Sequence, residues 1–298
     1  MQNQKAPCPK NHLFGFGFGY SARALAAQLA GTAWRIQGTM RKATTTGEKT
    51  GIPLLPFDGD MPLANANHHL ADVTHLLLSV PPDATGDPVL RHHEKILRAI
   101  PGLRWIGYLS TTGVYGNHDG GWVDEETQLQ PTTPRSEWRA NAETAWLAFG
   151  AAHALPVHIF RLAGIYGPGR NALEALREGR ARRICKPGQV FSRIHVADLA
   201  ETLRRSMDAP KGGRIYNVCD DRPAPPQDVI AFAATLLGVT PPPEIAFEDA
   251  NLSEMAQSFY ADNKRVANAR IKQELGVTLR YPDYEAGLKV LLATLPTG

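Results

Sequence analysis

Cysteine is scarce: Cys8, Cys185 and Cys219 are the only three in 298 residues. The number is odd and no pair has a metal-type spacing. That argues against a disulfide framework or a cysteine metal site and leads to the expectation of a reducing, cytoplasmic setting. No apolar run approaches the ~20 residues of a membrane span. Residues 1–10, polar with Pro7 and Pro9, lack the apolar core of a signal peptide and read as a loose tail. A net charge of +3 is too small to make nucleic acid or a membrane the main partner. Repeats and low-complexity segments are missing too. What remains is an ordinary globular balance, 43% hydrophobic and 20% charged, over a length that suits one large domain or a domain with an added lobe.

Glycine, by contrast, is concentrated near the start, in Leu13-Phe14-Gly15-Phe16-Gly17-Phe18-Gly19-Tyr20-Ser21-Ala22. The stretch reads as a strand, a tight turn and a helix start. Two registers of a G-x-G-x-x-G/A fingerprint fit. The one using Gly17, Gly19 and Ala22 puts a small residue where helix must pack on strand, and sets Ala22, Leu25, Ala26 and Leu29 on one helix face. Gly17 then allows the turn, and Gly19 lets a pyrophosphate approach the backbone. The N–H groups opening the helix, from Phe18 and Tyr20 to Ser21, hold the anion. With a second strand over Ala33 to Thr39, the βαβ context of a dinucleotide site is complete.

An acidic residue is missing where it would bind the ribose hydroxyl of NAD. The second strand ends in Gln37-Gly38-Thr39-Met40-Arg41-Lys42. Arg41 and Lys42 favour a 2′-phosphate, so NADP(H) is expected over NAD(H). Further strands are expected at Ile52 to Phe57, Val73 to Val80, Leu103 to Leu109 and Pro156 to Leu162. Asp58, after the third, either meets the adenine amine or caps the next helix. Ser79, Val80 and Pro81 end the fourth strand where a cofactor lies. Pro88 opens a helix over Asp87 to Ile100, with His92 and His93 read as surface residues. Ser110, Thr111 and Thr112 cluster at the carboxyl end of a central strand, where open α/β sheets bind ligands, although Ser110 and Thr111 also suit a turn.

Five pieces in order now resemble the extended short-chain dehydrogenase/reductases, the NAD(P)-dependent epimerase/dehydratase group. They are Gly17 to Ala22, Ser110-Thr111-Thr112-Gly113-Val114-Tyr115-Gly116, Arg161 to Gly169, Arg193 to Ala200, and Ile215-Tyr216-Asn217-Val218; Asn263-Lys264-Arg265 followed by Glu274-Leu275-Gly276 also fits. The resemblance implies a Rossmann doubly wound parallel sheet with a small C-terminal α+β substrate lobe. The expected division is residues 11–165 with 191–220, and 166–190 with 221–298. It also implies that Ala163 and Ile165 border the cofactor. The family's Tyr-x-x-x-Lys pair is absent. Aligned on Glu143, Arg135 stands for the Tyr and Arg139 for the Lys, and a guanidinium does not give up its proton near neutral pH. Thr111 matches the family's Ser/Thr. Tyr115 and Tyr166 are the hydroxyls available to replace the tyrosine, with packing as their alternative role.

Seven cations between Arg170 and Arg193 face only Glu174 and Glu178. They point either to an anionic substrate, phosphorylated or nucleotide-linked, touched by Arg170, Asn171, Arg193 and Tyr166, or to a solvated helix face over Asn171 to Arg180. His195 and Asp198 are expected to be structural. Asn263 to Leu275 reads as a basic amphipathic helix, and Asp283 to Leu295 as the last. The expected function is hydride transfer on a carbonyl-like or sugar-nucleotide-like molecule, without metal, in a monomer or homodimer. The rival readings are a non-catalytic NADP(H) sensor and a standard sugar-nucleotide epimerase or dehydratase.

Overall fold

The first strand is apolar on both faces, and the structure buries it completely from His12 onward. A computed structural model of the chain describes residues 11–42, 51–208 and 211–295. The expected N-terminal tail lies outside the described residues. Seven strands form one parallel sheet: β1 (Asn11–Phe16), β2 (Trp34–Met40), β3 (Leu54–Pro56), β4 (His75–Leu78), β5 (Trp105–Thr111), β6 (Val157–Leu162) and β7 (Arg214–Val218). Their order is β7-β6-β5-β4-β1-β2-β3. The chain therefore builds outward from β1 through β2 to β3, then returns to start again on β1's other side with β4. That reversal is the switch point of a doubly wound fold, and ligands of such sheets bind beyond its strand ends. The chain divides into two compact units, 1–109 with 141–159 and 206–214, and 110–140 with 160–205 and 215–298.

In the first unit, helix α1 (Tyr20–Leu29) buries Ala22, Leu25, Ala26 and Leu29, the face set by the glycine register. Helix α2 (Ala66–Leu70) is short. Helix α3 (Pro88–Leu97) starts on Pro88, and the Asp87 carboxylate accepts from the N–H groups of Val89 and Leu90. One expectation is corrected here. His93 is not a surface residue: it is 1% exposed, its Nε2 accepts from the Leu63 N–H at 3.0 Å, and its ring packs on Phe16 and Phe57. Helical periodicity turned it inward.

In the second unit, α5 (Ala172–Arg177), α7 (Pro226–Leu237) and α10 (Tyr284–Thr294) gather around Tyr166, Leu173, Ala233 and Leu288. Helix α4 (Pro134–His153) begins in this unit, and α6 (Val196–Asp208) follows the strand Arg193–His195, which pairs in parallel with Gly164–Tyr166. Helix α8 (Glu254–Ala261) precedes a second correction: the helix expected over 263–275 is a strand, Arg265–Val266, followed by a shorter helix, α9 (Ala269–Leu275). The backbone of 263–265 is drawn off by a neighbouring loop. Asn263 O accepts from His118 N and Gly120 N, and Arg265 N donates to Gly121 O. These tertiary hydrogen bonds outweigh the helical pattern.

Candidate functional site

The first unit carries the glycine turn. Gly17 has φ +82°, in the left-handed region, and a Cβ there would lie 2.6 Å from Ser79 Oγ. Its N–H donates to Thr39 Oγ1 at 2.9 Å, and the Phe18 N–H donates to Thr39 O at 2.7 Å. Ser79 Oγ donates to the carbonyls of Phe16 and Gly17. Ser79 and Thr39 thus hold the turn from behind, and the Phe18 ring packs beneath it against Gly15 and Gly38. The amides of Gly17 and Phe18 are spent on the fold. Those of the helix opening carry the anion-binding capacity: no side chain caps α1 at Gly19, and a Cβ built on Gly19 meets nothing within 4 Å. This open backbone is what a diphosphate needs, so the residues fit a dinucleotide. Arg41 and Lys42 follow β2 and are exposed. Asp58 neither caps a helix nor is buried: its carboxylate accepts from Asp60 N in a turn.

The second unit carries the hydroxyl cluster. Thr111 is half-buried, and its Oγ1 accepts from Gly113 N at 3.1 Å, shaping the short 3-10 turn Thr112–Tyr115. Accepting leaves the hydroxyl's own proton to donate. Ser110 is buried at 5% exposure. Tyr115 is corrected as a proton donor. It is fully buried, its hydroxyl donates to Asn217 Oδ1 at 2.7 Å and accepts from Arg161 Nη1 at 2.9 Å, and burial pushes its pKa up to about 12. Glu125, raised by burial, accepts from Asn217 N. Tyr115, Arg161, Asn217 and Glu125 are therefore one interior network under the turn, a grouping that residues so far apart in sequence gave no sign of.

Tyr166 and Asn171, expected to touch substrate, are held by structural partners instead. The Tyr166 hydroxyl donates to Asp283 O and its ring presses on Gly287; burial raises its pKa far above the ordinary phenol range. Asn171 caps α5 by accepting from Glu174 N and donates to Gly167 O. Arg135 is exposed in the first turn of α4, which Thr133 and Ser136 cap reciprocally, and Arg139 is half-buried. A cation at a helix N-terminus opposes the macrodipole. Ala163 and Ile165 flank Gly164 at the end of β6, and Arg170 is exposed. Arg193 is largely inside: its Nη1 donates to Phe191 O and Ala224 O at 2.9 and 3.0 Å. Among the described residues it has no carboxylate within ion-pair distance. His195 and Asp198 are structural, as expected. The His195 ring lies 3.9 Å from that of Tyr281, and Asp198 accepts from the N–H groups of Arg280 and Tyr281, each at 2.9 Å.

The sheet order and its flanking helices define a Rossmann-like α/β protein. Residues 68–219 match the NAD dependent epimerase/dehydratase family, and the chain belongs to it. It is 29% identical over 285 residues to Protein YeeZ of Escherichia coli (strain K12), covering 90% of this chain and 95% of that one. A functionally unknown conserved protein from Silicibacter pomeroyi DSS is 51% identical, with a TM-score of 0.86 over 96% of this chain and all of that one. A dTDP-glucose 4,6-dehydratase from Bacillus anthracis, solved in complex with NAD, has the same fold at 18% identity, with a TM-score of 0.76 over 95% of each chain.

Proposed function

We propose that the chain binds NADP(H) at the glycine turn and acts as an oxidoreductase of the epimerase/dehydratase type on an anionic small molecule. The observation that carries this reading is the uncapped start of α1 behind an open Gly19. Gly19, Tyr20 and Ser21 would hold the diphosphate through their amides, and Arg41 with Lys42 the 2′-phosphate. Val80, Pro81, Ser110, Ala163 and Ile165 would border the rest of the cofactor. A bound nicotinamide supplies or accepts a hydride. Thr111 would orient a substrate carbonyl through its free proton, with Thr112 beside it. Arg135 and Arg139 would supply positive charge to a developing oxyanion without moving a proton. The family's sugar-nucleotide enzymes, of which the dehydratase above is one, support a phosphorylated substrate, and the half-buried Arg193 would meet it.

Calorimetry with NADPH and NADH tests the cofactor. NADPH should bind the more tightly, and Arg41→Glu should weaken NADPH at least tenfold more than NADH; equal losses would remove the assignment. Following NADPH absorbance against carbonyl compounds and sugar nucleotides tests the chemistry. Turnover that collapses in Thr111→Ala supports the enzyme, whereas tight NADPH binding without turnover of any compound would favour a sensor.

A further inference from the structure

The second unit holds a cavity of about 310 Å³, walled by the loop 185–190 with Pro225, Gln227 and Arg265. None of its lining residues is acidic, and two are cations. Lys186 donates its Nζ to Tyr260 O and lies over the Phe247 ring; Arg265 donates to Gly120 O. Neither forms an ion pair among the described residues, although other cations nearby do. Arg183, for example, pairs with Glu244 at 2.7 Å. Arg193 is adjacent: the two carbonyls it binds belong to Phe191 and Ala224, which follow and precede the lining residues Val190 and Pro225. Half-buried cations satisfied only by carbonyl oxygens keep an uncompensated charge, which favours an anion.

The walls hold a second unmet demand. Gln189 is 1% exposed and its Nε2 donates to Asp262 O; among the described residues neither its Oε1 nor the buried Oε1 of Gln227 has a partner. Gln189 keeps its Nε2 on Asp262 O and so offers only an acceptor, whereas rotation of the Gln227 amide presents an N–H donor to the cavity. Asn263 fixes the mouth, accepting from Val190 N and donating to Gly188 O. This is the work of the Asn263-Lys264-Arg265 motif. The volume corresponds to about ten waters at their liquid share and sits at the small end of ligand pockets. A whole nucleotide-linked sugar is larger than this.

We propose that this cavity receives the acid group of a compact substrate, a monophosphate or a carboxylate, held by Lys186, Arg265 and the Gln227 amide. The proposal deepens the anionic-substrate reading above and rests on it. Calorimetry on the full chain with inorganic phosphate, malate and UDP-glucose separates the sources. Phosphate or malate should bind, and whichever does so identifies the acid. Gln227→Glu, which puts a like charge in the cavity, and Lys186→Gln, which keeps a donor for Tyr260 O, should each weaken that binding at least tenfold while leaving NADPH affinity unchanged. Binding of neither small anion, or binding indifferent to both substitutions, would overturn the proposal. So would UDP-glucose held more tightly than either anion and weakened by both variants, since the occupant would then be nucleotide-linked. Failure of the wild type to bind NADPH would strike the cofactor reading and leave the anion arm standing.

Discussion

Gly17 and Gly19 stand two residues apart and have different physical tasks. Gly17 is needed by the chain itself: its φ of +82° and the 2.6 Å approach to Ser79 Oγ leave no place for a side chain. Gly19 has an extended φ of −88° and empty space where a Cβ would stand, so the fold does not require glycine there. Gly17→Ala should cost about 1–3 kcal/mol of stability through backbone strain and the clash. Gly19→Ala should melt within a few degrees of wild type yet weaken NADPH at least tenfold, because the added methyl stands where the diphosphate must approach. Thermal melts and calorimetry on the pair check this. Equal destabilisation, or unchanged NADPH affinity in Gly19→Ala, would show that the second glycine has no part in binding. Tyr115 makes the same distinction among hydroxyls. Its place in a family motif is visible in sequence, but its partners, Arg161 and Asn217, are brought to it only by β6 and β7.

At the level of elements, α6 is more than a cover for the sheet. Asp198 in its first turn accepts two backbone N–H groups from 280–281, the approach to α10. A carboxylate at a helix N-terminus is favourable in itself; here it also fixes the last segment. Burial raises the Asp198 pKa while the two amide bonds oppose that shift. Asp198→Ala should leave the Arg280 and Tyr281 N–H groups without their acceptor, the second of them buried, and cost about 1–3 kcal/mol. Hydrogen exchange should quicken first in residues 277–294; uniform exchange throughout the chain would show that the clip is not local. The misread 263–275 segment belongs to the same scale. Its basic, amphipathic pattern is real, but Asn263 and Arg265 find better partners in the 117–121 loop.

Across the whole molecule, interior histidines set the response to acid. Burial is the leading cause that depresses His75, His93, His158 and His195 to about 4. Between pH 6.5 and 4 the unfolded chain takes up protons that the native chain refuses, so stability is full above pH 6.5 and falls as pH drops through that window. Asp220 acts in the opposite direction. Burial raises its carboxyl to about 8, so its unfolded form ionises first and stability falls as pH rises from about 4 towards 8. The four histidines outweigh Asp220 on the acid side, and Asp220 continues to act above 6.5. Urea unfolding should therefore show greatest stability near pH 6.5, and Asp220→Asn should remove the decline towards pH 8. A flat profile from pH 4.5 to 6.5 would contradict the histidine assignment.

The sequence alone determined the doubly wound class, the glycine register and the buried face of α1. Each depends on local geometry: a turn only glycine can make, a period of 3.6, and strands too apolar to meet water on either side. The expectation that Arg135 and Arg139 stand for the family's tyrosine and lysine likewise needed only the identities of those two residues. Tertiary structure decided what each polar side chain is for. Tyr115 and Tyr166 have the chemistry of site residues, and what removes them from that role is a partner distant in sequence. The same folding left Lys186 and Arg265 at a cavity without a carboxylate, because burial and pairing are properties of the assembled core and not of any stretch of chain.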